Sequence, residues 1–228
     1  MNHHLSQKLN HAATTFIPNQ GPREHTKGRA WIILLFFIFS LDFSSAAGEN
    51  LTAHFIDVGQ GDCILLQFKE KSILIDGGPP EMGPRVEEYL RAQNISVLDL
   101  MILTHPHDDH IGGLISVLED IPIKEAIDSG EDDSSLIYAM FRALIEGKNI
   151  SYAPVHAGQE IDFDPALKIE VLWPPQGGVS GRMNLTHEAA IKNPWESIVV
   201  RALSGDMNQN SLVLRISYNL TSILLMAD

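Results

Sequence analysis

Thr104-His105-Pro106-His107-Asp108-Asp109-His110-Ile111-Gly112-Gly113-Leu114 places three imidazoles and two carboxylates within six consecutive positions. His105 and His107 are two apart, so in extended chain their side chains leave on the same side. Pro106 between them stiffens the backbone and favours an extended His105. Asp109 and His110 are neighbours, and their side chains diverge unless the chain turns. The Gly112-Gly113 pair, read as the start of a helix, gives room for such a turn. Two imidazoles, followed by a carboxylate–imidazole pair, are donors for two divalent cations rather than one. Gathering these groups without a cation would be costly and would bring no evident benefit.

The loop must be delivered by something rigid. Asp99–Thr104 reads as a buried strand that ends at its first residue, and a helix follows from near Gly112. Upstream, Ala53–Val58, Cys63–Phe68 and Ser72–Asp76 are short strands rich in Ile, Leu, Val and Phe, separated by Gly59-Gln60-Gly61-Asp62 and Lys69-Glu70-Lys71. A helix after Pro84 carries Val86, Tyr89 and Leu90 on one face, and Ser134–Ile145 carries Ile137, Met140, Phe141 and Leu144 on another. Ile123–Ile127, Leu167–Trp173, Ser211–Tyr218 and Ser222–Met226 complete the strands, with a long loop over 175–210. Strands, then alternating helix and strand, then strands again imply a layered α/β protein.

Charge narrows the function further. The chain of 228 residues carries 16 Lys and Arg against 29 Asp and Glu, a formal net charge of −13. Residues 1–47 hold 4 of the basic and 2 of the acidic side chains, so the remainder stands at −15. So acidic a body has no broad basic surface for nucleic acid, and an anionic substrate needs local help such as a metal ion. A lone Cys63 excludes an internal disulfide and any cysteine-cluster zinc site.

The N-terminus has its own pattern. Trp31–Phe39 is an unbroken apolar run, continuing weakly to Leu41, with Arg23, Lys27 and Arg29 before it and Ser44-Ser45-Ala46-Ala47-Gly48 after it. It is short of the roughly 20 residues that span a bilayer. The order of charge, apolar core and small residues is that of a secretory signal peptide cleaved after Ala46 or Ala47, with an uncleaved membrane anchor through residues 31–41 as the alternative. Sequons at Asn50, Asn94, Asn149, Asn184 and Asn219 suit a glycosylated surface on an exported chain.

His105-Pro106-His107-Asp108-Asp109-His110 resembles the His-x-His-x-Asp-His signature of the metallo-β-lactamase superfamily. Phe55–Asp62, Ile73–Gly78, Ala157-Gly158-Gln159, Val171–Pro175 and Asn210–Leu214 are similar to one branch of it, the hydrolase domain of DNA-internalisation competence proteins (ComEC type). The resemblance covers roughly residues 52–228. It implies a four-layer αββα sandwich, incomplete in its C-terminal half, over residues 48–228. It also implies two divalent ions, Zn²⁺ first with Mn²⁺ or Fe²⁺ as options. His105 and His107 would ligate one ion, and Asp109 and His110 the other, with Asp109 also counted as catalytic. Asp76, at a strand end, would support the metal loop by hydrogen bonding. Asp228 stands where the family has a metal-bridging aspartate, with Ala227 in place of the usual glycine. Many members add a third histidine from a Gly-His segment; here Asn210-Ser211 stands instead. His156 and His187 are read as surface residues and His54 as structural. The family continues past that aspartate with a further His-His-Gly-Ser-like segment, so the chain reads as a truncated domain. The activity implied is hydrolysis by a metal-activated water, with DNA or another phosphodiester as the favoured substrate. A partner-dependent fragment that only binds metal, and a lactam or thioester hydrolase, are the alternatives.

Overall fold

Ile64–Phe68 and Lys71–Ile75 are buried at nearly every position, and their Ile-Leu-Leu and Ile-Leu-Ile runs are those of strands covered on both faces. The computed structural model describes residues 49–130, 133–177 and 210–226, all within the compact unit Gly48–Asp228. β1 (Leu51–Phe55), β2 (Ile64–Phe68) and β3 (Lys71–Ile75) form an antiparallel meander. β4 (Leu98–Ile102), β5 (Ile123–Asp128) and β6 (Ser151–Pro154) extend it as parallel strands into one six-stranded sheet in sequence order. The connections are α1 (Gly83–Ala92), α2 (Asp108–Asp120) and α3 (Leu136–Gly147). A second, antiparallel sheet runs β10-β9-β8-β7, built from β7 (Glu160–Asp164), β8 (Leu167–Trp173), β9 (Val213–Tyr218) and β10 (Thr221–Met226).

Side-chain alternation sorts the apolar residues into two cores. Leu65, Leu74, Met101 and Ala126 face the helices and meet Val86, Leu90, Leu114, Leu118 and Phe141. Ile64, Leu66, Ile73, Ile75, Leu100 and Ile102 face the other way, onto Leu167, Ile169, Val171, Leu214 and Ile216 of the second sheet. The described layers are therefore helix, sheet and sheet. The far face of the second sheet carries the buried Trp173 and Val213, flanked by half-buried Leu172 and Leu224.

Several expectations shift. β1 ends at Phe55 rather than Val58: Ile56 N–H still bonds the Cys63 carbonyl at 2.9 Å, and past that bond the chain leaves the ladder, with Ile56 and Val58 packed in the helix-side core. β6 and β7, short and partly polar, were not foreseen; Pro154 closes one of them. The largest correction concerns α2, which begins at Asp108 and not near Gly112. His107 stays extended as its N-cap, and its carbonyl accepts from His110 N–H at 2.9 Å and Ile111 N–H at 3.0 Å. Asp108 and Asp109 then occupy the first turn, where the helix dipole favours carboxylates. Residues 1–47, on which the signal peptide or anchor is expected, most of the 175–210 stretch and Asp228 lie outside the described residues. Among the described residues no helix is long and apolar enough to cross a membrane.

Gly112 and Gly113 consequently sit inside a helix, where glycine costs about 1 kcal/mol against alanine. The reason is contact. A Cβ on Gly113 would stand 2.0 Å from the Gly77 carbonyl oxygen, and one on Gly112 would stand 2.3 Å from the Pro80 ring. One on Gly77 would stand 2.5 Å from the Leu114 nitrogen. Backbone therefore lies directly on backbone, tied by Gly77 N–H to the His110 carbonyl (2.8 Å) and Gly113 N–H to the Gly78 carbonyl (2.9 Å). Gly113→Ala gains helix propensity but overpacks this junction, and urea denaturation is expected to show a loss of about 1–3 kcal/mol. Gly147→Ala, whose Cβ meets nothing within 4 Å, is expected to show no such loss.

Candidate metal centre

The parallel strands all finish at one edge, and the chemistry gathers there. Ile75 of β3 pairs with Ile102 of β4, so Asp76 leaves its strand beside the start of the histidine loop. Asp76 is buried and adopts a left-handed backbone, φ 55°, a conformation that costs a non-glycine residue about 1–3 kcal/mol. Its carboxylate is fully used. Oδ1 accepts the Thr104 N–H at 2.8 Å, and Oδ2 accepts the Thr104 hydroxyl at 2.6 Å and lies 2.8 Å from His110 Nδ1.

Hydrogen-bond arithmetic then sets both imidazoles. An ionised carboxylate only accepts, so the Nδ1 of His110 carries the proton and Nε2 keeps its lone pair. The Thr104 hydroxyl gives its single proton to Asp76. Its oxygen must therefore accept from His105 Nδ1, 3.0 Å away, so His105 likewise presents an Nε2 lone pair. One carboxylate, acting directly on one histidine and through a threonine on the other, orients two ligand-type nitrogens.

The rings lie together. His105 and His110 are buried with centroids 4.0 Å apart, and the half-buried His107 packs edge-on to His105 at 4.6 Å. Asp109 and His110 part company as their adjacency predicts: His110 turns inward to Asp76, whereas Asp109 Oδ2 accepts from Gln60 Nε2 at 3.0 Å. Burial pushes the Asp109 carboxyl up. The bonds from Gln60 and its own backbone N–H act against that, and it lies below the usual carboxylate value. The loop bearing Gln60 comes this close because Gly61, at φ 75°, has no Cβ; one there would fall 1.8 Å from the Asp109 carbonyl oxygen. Asp133 is held below the usual carboxylate value chiefly by its hydrogen bonds from Ser135.

Mixed imidazole and carboxylate donors with buried Nε2 lone pairs suit a divalent transition metal. Among the described residues no three His, Cys, Asp or Glu side chains are arranged to hold one ion between them. The pairing expected from the sequence puts only two of them on each ion, with Asp228 outside the described residues. Of the other histidines, His54 hydrogen-bonds the Tyr89 hydroxyl at 3.0 Å, on the helix-facing side. His156 lines a neighbouring cavity of about 500 Å³, with Ser129, Gly130, Pro174, Gln176 and Asn210, at the ends of β5, β6 and β8. His187 is outside the described residues. Beside that cavity, Asp128 accepts from Tyr138 (3.0 Å) and Tyr152 (2.6 Å); burial and this carboxylate push the Tyr138 phenol up to about 12.

Thr104, Gln60 and Gly61 carry roles that the sequence reading did not assign, because their partners lie 28 to 49 positions away. A strand-end Thr next to the first histidine was the available signal. Asp76→Asn keeps the shape but can offer N–H where only acceptors stood. Nitrogen-15 NMR of the imidazoles is expected to show His105 and His110 as single Nδ1–H tautomers in the parent and as mixtures in the variant. The variant is also expected to unfold about 1–3 kcal/mol more easily.

Comparison with known proteins places this geometry. A family model described as the metallo-β-lactamase superfamily matches residues 56–200. Recombination protein 2 of Haemophilus influenzae is 36% identical over 101 residues, 42% of this chain and 13% of that protein. ComE operon protein 3 of Bacillus subtilis is 26% identical over 203 residues, 72% of this chain and 26% of that protein. The chain thus spans about a quarter or less of these relatives. Among solved structures, a metallo-β-lactamase with a HARLDQ motif from Cronobacter sakazakii aligns at TM-score 0.46 and 12% identity, over 76% of this chain and 58% of its own. With the family model matched across both the histidine loop and the Asp76 turn, the chain belongs to the metallo-β-lactamase superfamily.

Proposed function

We propose that the chain is an exported, metal-dependent hydrolase that acts on a phosphodiester, DNA being the favoured substrate. The observation that carries the reading is the Asp76-anchored pair of Nε2 lone pairs on His105 and His110, with His107 against the first ring. The superfamily consists generally of metal-dependent hydrolases, and the names of the two relatives, with their similarity to competence proteins, support a nucleic-acid substrate. Divalent cations bound here, Zn²⁺ first and Mn²⁺ or Fe²⁺ as options, would supply a water ready for attack at neutral pH and neutralise charge on the phosphoryl group.

The chain's own residues divide the remaining work. His105 and His107 would hold one cation, and Asp109 and His110 the other, with Asp228 as a further carboxylate ligand. Asp76 and Thr104 hold His105 and His110 in the ligating tautomer and so lower the reorganisation needed on binding. Gln60 holds Asp109 ionised at the mouth of the site. The cavity between β5, β6 and β8 offers uncharged hydrogen-bonding groups in Ser129, Gln176 and Asn210 beside His156. With the body at −15, an anionic strand gains attraction only at the cations themselves.

Purified protein supplied with Mn²⁺ or Zn²⁺ is expected to hydrolyse single-stranded DNA and bis-p-nitrophenyl phosphate, and to lose this with EDTA. His107→Ala is expected to lower the rate at least a hundredfold while leaving circular dichroism unchanged. Turnover of a chromogenic lactam with none of either phosphodiester would overturn the substrate assignment. Export rests on the Trp31–Leu41 run and its flanks. Expression in a secreting host is expected to release protein whose N-terminus is Ala47 or Gly48. Retention in the membrane at full length would support the anchor instead.

A further inference from the structure

Ser211 lies just before β9 and is fully buried, yet its hydroxyl has no hydrogen-bond partner in the structure. Leaving such a group unsatisfied costs about 1–3 kcal/mol, so a buried orphan hydroxyl calls for an explanation. Its position supplies one. The next residue, Leu212, donates its N–H to the Thr104 carbonyl at 2.9 Å, which sets Ser211 beside the peptide that links Thr104 to His105. The Thr104 hydroxyl already gives its only proton to Asp76 and accepts from His105, so it has no proton to offer Ser211. On the other flank Asn210 lines the cavity at the strand ends.

Resting on the reading that the histidine loop binds cations, we propose that Ser211 Oγ is a further protein donor, beside the imidazoles, to the cation held by His105 and His107. Two observations converge on it. The hydroxyl is buried and unpartnered, and its backbone is pinned at the root of His105. The hydroxyl donates a lone pair and keeps its proton, so no bond breaks. A hydroxyl oxygen is a harder ligand than an imidazole nitrogen. Its use moves this position away from Zn²⁺ and toward Mn²⁺, relative to a site with a histidine in its place.

Metal titration of the full chain against a competing fluorescent chelator tests this without reference to turnover. Ser211→Ala is expected to weaken one Mn²⁺ equivalent at least tenfold and leave the other unchanged. Ser211→His is expected to raise the affinity for Zn²⁺ relative to Mn²⁺. Ser211→Cys, nearly the same size, loaded with Co²⁺, is expected to gain a thiolate-to-cobalt charge-transfer band in the near ultraviolet. The parent should lack that band, since burial pushes its Cys63 thiol far above the ordinary range. Unchanged Mn²⁺ binding in folded Ser211→Ala, or a Co²⁺ spectrum of Ser211→Cys identical to the parent's, would overturn the proposal. Should the alanine variant not fold, the cysteine spectrum alone decides. A parent that takes up neither Mn²⁺ nor Co²⁺ would instead overturn the metal reading beneath it.

Discussion

A single buried carboxylate organises the site. Asp76 reaches three groups on two other elements: the backbone and hydroxyl of Thr104 at the end of β4, and the ring of His110 in the first turn of α2. A charge taken out of water is tolerable only when its acceptor capacity is filled, and here it is filled by N–H and O–H donors. The left-handed backbone at Asp76 is the cost of aiming it there. Remove the charge and two imidazoles lose their fixed tautomer together, although His105 never touches Asp76.

The carboxylate works only because the backbone around it can come close. The Gly77-Gly78 turn lies against α2 with no side chain between, and the two hydrogen bonds across that contact set the height of the helix relative to β3. That height places His110 opposite Asp76. The same economy appears at Gly61, where the preceding loop touches the Asp109 backbone and brings Gln60 to its carboxylate. Two apolar cores, one on each face of the six-stranded sheet, hold the strand ends rigid behind these contacts.

Much of the scaffold was legible because burial writes apolar patterns: β2, β3 and β4 carry apolar runs, and β8 alternates buried apolar with more exposed residues, as a strand with one covered face does. Strand ends then pointed to Asp76 and to the histidine loop as neighbours. What was illegible had a physical cause in each case. Gly112-Gly113 looks like a helix boundary, since local propensity cannot reveal that another backbone presses on that face. β6 and β7 are short and partly exposed, and leave little pattern. Thr104 and Gln60 are common polar residues whose meaning comes from partners far along the chain. The metal ligands, and with them Asp228, remain expectations carried by residue type and resemblance.

Contact between bare backbones has a consequence for how this architecture can drift over time. In either apolar core, an isoleucine can give way to a valine or leucine with modest repacking. At Gly77 and Gly113 there is no smaller residue to retreat from and no larger one that fits. Descendants of this chain can rewrite most of their interior, while any side chain at these two positions has to displace the junction itself.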